Sequence, residues 1–100
     1  EIRKILKENS IKFKEQYTFE LCRHINKLPF DFYLPEYNLC IEFDGRQHFE
    51  VIDFYGGQKG FDSTKRNDQI KNDYCKNNGV KLFRIKYDSI IKNELNKIIF

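Results

Sequence analysis

The stretch Phe30-Asp31-Phe32-Tyr33-Leu34-Pro35-Glu36-Tyr37-Asn38-Leu39-Cys40-Ile41-Glu42-Phe43-Asp44-Gly45-Arg46-Gln47-His48-Phe49 decides how this chain folds. Both arms are rich in aromatic and branched residues. Pro35-Glu36-Tyr37-Asn38 between them has turn composition, so the stretch predicts a strand-turn-strand unit. Alternate side chains of a strand share a face. Glu42 and Asp44 therefore point one way, and Ile41 and Phe43 point the other way, into a core. Asp31 lies between Phe30 and Phe32 and also sits opposite apolar neighbours. Pairing around the turn lets Asp31, Glu42 and Asp44 converge near the end of a sheet. Like charges held close raise one another's pKa. A chain keeps such a cluster most readily where a hard cation such as Mg²⁺ neutralises it. Gly45 permits a sharp backbone turn, which can carry His48 back toward the carboxylates.

Upstream, residues 1–9 read as a helix. Ile2, Ile5 and Leu6 make an apolar stripe, and Arg3, Lys4, Lys7 and Glu8 fill the other face. Lys14 to Phe19 alternates as a strand. Glu20 to Pro29 is irregular and basic, with Arg23, His24 and Lys27. Cys22 and His24 have the chemistry of metal ligands but lack a partner pair, so a surface loop is the better reading.

Downstream, residues 51–63 read as a loop, with Gly56, Gly57 and Gly60 around Tyr55, Gln58 and Lys59. Ser63 or Thr64 can cap a helix that runs to about Asn77. Ile70 and Tyr74 mark its buried face, and Asn77-Asn78-Gly79 is a stop signal. Arg66, Asp68 and Lys71 lie on this helix, where such charges ordinarily form a solvated face. Arg66 is one turn from Ile70, so that side can adjoin the acidic centre. Val80 to Tyr87 alternates as a strand, with Val80, Leu82 and Arg84 on one side and Lys81, Phe83, Ile85 and Tyr87 on the other. Ser89 can cap a last helix, Ile90 to Ile99, with Ile91, Leu95, Ile98 and Ile99 as its packing stripe. The order α-β-β-β-α-β-α predicts an α/β fold: a mixed central β-sheet flanked by helices.

The chain has 100 residues, enough for one small domain. Its 10 Phe and 6 Tyr supply much of a core. The net charge of +3 permits a polyanionic partner without demanding one. The sequence contains no Met, and we expect it to be a fragment of a longer protein. Cysteines number 3, with no C-x-x-C, which suggests neither a disulfide framework nor a structural zinc site. Cys40 in an apolar strand is a small buried hydrophobe, and a reduced, cytoplasmic setting is expected. No apolar run is long enough to span a membrane, no signal peptide opens the chain, and no internal repeat is visible.

Phe30-Asp31-Phe32-Tyr33-Leu34-Pro35 followed by Ile41-Glu42-Phe43-Asp44-Gly45-Arg46-Gln47-His48 resembles the PD-(D/E)XK nuclease superfamily. The branch it is similar to holds the very short patch repair endonucleases and the phage homing endonucleases with an EDxHD site. The resemblance runs from Glu1 to about Tyr87 and is most specific in the central block. It implies a restriction-endonuclease-like core and metal-dependent hydrolysis of double-stranded DNA, in a homing-type or repair-type role. It implies Mg²⁺, with Mn²⁺ able to substitute, held by Asp31, Glu42 and Asp44. An N-terminal helix supplies an acid to the family site, which makes Glu1 a candidate, and the resemblance also brings in Asp68 and Lys71. Asp44 stands where most of the superfamily carries the motif lysine, which shifts weight onto His48.

In that chemistry Asp31 is the first choice as ligand, with Glu42 or Asp44 beside it and a backbone carbonyl near Phe43. An unperturbed histidine titrates near neutrality, so His48 can take a proton from water or give one to the leaving group. Lys71 or Arg46 can hold the phosphate. Gln47, Lys59 and Arg66 are further DNA-contacting candidates, Lys59 on the glycine-rich loop read as a flap. Further DNA-binding domains in a longer chain are expected, and a dimer would serve double-strand cleavage. The rival readings are a nuclease fold that holds nucleic acid without cutting it and a hydrolase of smaller phosphate esters.

Overall fold

Because strands Leu39–Asp44 and Lys81–Lys86 run parallel, the chain between them must cross over the sheet. That crossover is the longest helix of the molecule. The computed structural model describes residues 1–99; Phe100, and the side chain of Ile99 with its expected packing role, lie outside the described residues. Within them the order is α1 Ile2–Glu8, β1 Lys14–Tyr17, β2 Phe30–Leu34, β3 Leu39–Asp44, α2 Gly57–Asn78, β4 Lys81–Lys86 and α3 Ile91–Ile99. Short 3-10 turns occupy Arg46–His48 and Asp53–Tyr55. The sheet order is β1-β2-β3-β4, with β1, β2 and β3 successively antiparallel. This is the mixed α/β architecture expected from the alternation of periods.

Two apolar clusters sandwich the sheet. On one face Ile2 and Leu6 of α1 and Leu95 of α3 pack on Leu34, Leu39, Ile41 and Ile85. On the other face Ile70, Tyr74 and Cys75 of α2 meet Phe30, Cys40, Cys22 and Leu82. All three cysteines are buried and free. Cys22 is therefore core rather than surface loop, and Cys40 is the buried hydrophobe it reads as. No helix is long and apolar enough to cross a membrane among the described residues.

The hairpin turn is fastened from both sides. Asn38 sits in the left-handed region at φ 48, which Asn tolerates better than most residues. Its side chain accepts from the Tyr33 hydroxyl and donates to the Gly79 carbonyl. Gly79, at φ 68, ends α2 as the stop signal predicts.

The start of α2 differs from the sequence reading. The helix begins at Gly57, so Ser63 and Thr64 lie inside it and only residues 51–56 remain as connection. The glycines serve close approach rather than a mobile flap. Gly56 takes the left-handed turn at φ 91 into the helix, and a Cβ on Gly60 would collide with the Tyr55 carbonyl oxygen. Strand β1 also ends at Tyr17, before Phe19.

Candidate functional site

Glu42 and Asp44 share the α2 face of β3, as alternation requires, and both are almost fully buried at 3% and 5% exposure. Burial of charge is tolerated only with partners, and each carboxylate has its own. The expected meeting of three carboxylates divides into two neighbouring groups.

The first group closes the open end of the β2–β3 hairpin. Backbone register runs through Phe32↔Ile41, and beyond it side chains take over the bonds. The Asp31 N–H donates to Glu42 Oε1 at 2.9 Å. The Phe43 N–H donates to Asp31 Oδ2 at 2.7 Å. Two carboxylates thus reach across to the opposite strand's backbone and fix each other's position. Lys71 of α2 donates to Glu42 Oε2 at 3.1 Å, its ammonium also lying 5.1 Å from the Phe30 ring centre. Burial pushes the Glu42 carboxyl above the usual range; Lys71 opposes this and the Asp31 charge adds to it.

The second group is built on Asp44. Arg84 of β4 donates through Nη1 to both Asp44 oxygens, at 2.9 and 3.2 Å. Asn72 takes two further bonds from the same guanidinium. His48 Nδ1 lies 2.9 Å from Asp68 Oδ2 and 3.6 Å from Asp44 Oδ1. Burial raises the Asp44 carboxyl, against the charges of Arg84 and His48. For Asp68 burial also pushes upward, but the His48 bond and the charges of His48, Arg84 and Lys65 outweigh it and hold the group below its ordinary value. The bond to Asp68 in turn raises His48 above the usual imidazole value, against burial. An ionised carboxylate can only accept, so Nδ1 carries the proton toward Asp68 and the neutral ring presents a bare Nε2. One oxygen each of Asp44 and Asp68 and one His48 nitrogen lie within 4.8 Å of one another, close enough to converge on a metal ion.

The two groups meet in one cleft of about 300 Å³. Asp31, Glu42 and Phe43 form its floor, with Lys71, Asn67 and Thr64 of α2 above them. Gln16, Gln47, His48 and Asp68 complete the walls. Asp44 and Arg84 face an adjoining hollow of about 280 Å³, which shares His48 and Asp68 with the cleft.

Of the residues read from sequence, the cleft gathers Asp31, Glu42, Gln47, His48, Asp68 and Lys71. The others lie elsewhere. Arg46 is exposed and forms an ion pair with Glu50 at 3.0 Å, so it does not line the cleft. Lys59 is exposed on the first turns of α2. Arg66 is exposed too, donating to Asn67 at 3.3 Å. Glu1 lines a groove on the opposite side of the sheet with Ile2, Phe32 and Ile91, because α1 packs on the face away from Glu42 and Asp44. From sequence, Gln16, Asn67 and Arg84 had no assigned role, and Thr64 was expected only as a helix cap. Arg84 carried a usable signal: it shares a strand face with Val80 and Leu82 between the apolar residues Phe83 and Ile85, where a charge demands a partner.

No protein-family model, curated protein or solved structure matches this chain.

Proposed function

We propose that this chain is a Mg²⁺-dependent endonuclease domain that hydrolyses phosphodiester bonds in double-stranded DNA, built on a restriction-endonuclease-like core of the PD-(D/E)XK kind. The observation that carries the reading is the reciprocal bridging of Asp31 and Glu42, which holds two carboxylates at the floor of a cleft with Lys71, His48 and Asp68 around them.

The donor chemistry fits a hard divalent cation. Mg²⁺ prefers oxygen ligands, and Asp31 and Glu42 offer carboxylate oxygens to the cleft. Charge agrees: four carboxylates, Asp31, Glu42, Asp44 and Asp68, face two well-covered cations, Lys71 and Arg84. With His48 neutral, the excess of two negative charges is what one divalent ion offsets. The Asp44, His48 and Asp68 set is the poorer home for Mg²⁺, because it includes a nitrogen donor. Asp31 and Glu42 would therefore hold the ion, which would supply positive charge to a phosphate oxygen.

The remaining residues have defined work. His48 is the general base: Asp68 fixes its ring, and Nε2 can take a proton from the attacking water. Asp68 acts through His48 and is a positioning residue. Lys71 places an ammonium beside the acidic pair, so the cleft has a lysine although position 44 does not, and that ammonium can hold a non-bridging phosphate oxygen. A basic, aromatic surface continues past His48, where Lys65 and Lys86 lie 5.4 and 4.8 Å from the Phe49 ring centre. Such a surface suits a polymeric polyanion better than a small ester.

The test is incubation of supercoiled plasmid with the chain in Mg²⁺, in Mn²⁺ and in EDTA. Nicked or linear product in either metal and none in EDTA is expected. Binding with no product in either metal would contradict the proposal and favour a non-cutting nucleic-acid-binding module.

A further inference from the structure

Gln16 is the one strand residue among those described that combines a left-handed backbone, at φ 49, with a place in the cleft wall. Ser10 and Asn38 share the left-handed region but sit in turns. A long unbranched side chain has no local means of favouring this conformation, unlike Asn or Asp. Glu15 pairs with Phe32 and Tyr17 with Phe30, which sets Gln16 abreast of Asp31 at the cross-section where that carboxylate leaves the ladder.

The conformation has a visible consequence for side-chain direction. In a regular strand Gln16 and Tyr17 would face opposite ways. Here Gln16 lines the cleft under α2. Tyr17 stacks at 4.6 Å on Tyr33, which belongs to the cluster beneath the same helix. The left-handed residue thus lets Tyr17 complete the packing while Gln16, exposed beside it, still lines the cleft.

The chemistry of that carboxamide is suited to its neighbours. A cationic side chain there would be drawn onto Asp31, and an anionic one would repel phosphate. A neutral amide can donate to a phosphate oxygen without changing the charge of the cleft. Gln16 stands on the β1 side, across the floor from Lys71 and Asn67 on α2, so a strand lying over the carboxylates would be held from both walls.

We propose that Gln16 is a substrate-binding residue whose carboxamide donates to the DNA backbone phosphate held over Asp31. This rests on the endonuclease reading and adds a contact that nothing else in the site supplies from the β1 side.

The test uses two variants that leave the backbone at ease. Gln16→Gly accepts the left-handed conformation freely, and Gln16→Asn tolerates it while shortening the reach. Thermal melts should be no lower than that of the unaltered chain. Steady-state cleavage of a labelled duplex in Mg²⁺, with duplex binding measured in Ca²⁺, reads the effect. The expected result is KM and Kd raised roughly tenfold or more by Gln16→Gly, the loss of one charge-assisted hydrogen bond, with kcat little changed. Gln16→Asn should fall between. Unchanged KM and Kd in both variants would overturn the inference and leave the strained backbone to the Tyr17 stack, with the endonuclease reading intact. A fall in kcat at constant KM would also overturn it, since a ground-state grip does not act that way. If the unaltered chain neither binds nor cuts the duplex, both readings fail together.

Discussion

Glu42 and Asp44 stand two residues apart on one face of one strand, equally buried, yet they are neutralised in different ways. Glu42 meets Lys71, a single point charge on a flexible stem. Asp44 meets Arg84, whose planar guanidinium is also fixed by Asn72 and by the Asp68 backbone carbonyl. Lys and Arg are not interchangeable in such settings. On the endonuclease reading, the ammonium would turn from Glu42 toward an incoming phosphate without leaving its place in the cleft. The guanidinium is spoken for on every side. The Asp31–Glu42–Lys71 group is thus the adaptable half of the site. The Asp44–Arg84 group is a fixed brace whose product is the position of Asp68 and, through it, of His48.

The strongest way to break this comparison is through the residue that joins its halves. His48→Ala should lower single-turnover cleavage by roughly 10²–10⁴ while duplex binding persists, because the imidazole does not hold the backbone. Asp68 keeps His48 protonated above its ordinary value, so the neutral base is gained only as pH rises through that raised value. Cleavage should climb with pH there, and Asp68→Asn should move the climb to lower pH. An alanine variant with full rate and an unaltered profile would remove His48 from the chemistry.

Breaking the adaptable half should cost stability as well. Lys71→Met leaves the Glu42 carboxylate buried without its cation, a loss of roughly 3–5 kcal/mol in urea unfolding at neutral pH. The sign with pH follows from the raised Glu42 value. An acid whose folded pKa lies above its unfolded one penalises the fold when ionised, and the penalty fades as pH falls through the folded value. The variant should therefore regain stability relative to the unaltered chain on acidification, and a pH-independent deficit would contradict the pairing. Arg84→Met should cost less, about 2–3 kcal/mol, because His48 still faces Asp44 and Asp68. Arg46→Ala touches neither half; its exposed pair with Glu50 should move stability by less than about 1 kcal/mol.

The parts legible from sequence are those where local pattern and tertiary demand agree. Period-2 alternation placed Glu42 and Asp44 on one face, and Asn77-Asn78-Gly79 ended α2 where its backbone turns left-handed. The start of α2 was illegible for a physical reason. Gly56, Gly57 and Gly60 read as a loop, whereas Gly60 is needed because any Cβ there would collide with the Tyr55 carbonyl once the helix has formed. The division of the carboxylates was equally hidden, since it depends on Arg84, distant in sequence and parallel-paired beside β3. Gln16 gave no sign at all: its side chain does nothing locally to favour the left-handed backbone it adopts.

Cleavage of a labelled duplex by Asp31→Asn and Asp44→Asn across a Mg²⁺ titration tests the central claim most directly. Both changes remove one charge and keep the shape of the side chain. Asp31→Asn is expected to lose on the order of 10³ or more in single-turnover rate, the several kcal/mol of charge stabilisation a held cation would supply, at every Mg²⁺ concentration. Asp44→Asn is expected to be slower yet to half-saturate at the Mg²⁺ concentration of the unaltered chain. Full-rate cleavage by Asp31→Asn, or a Mg²⁺ requirement raised only in Asp44→Asn, would place the cation in the Asp44 group and contradict the account.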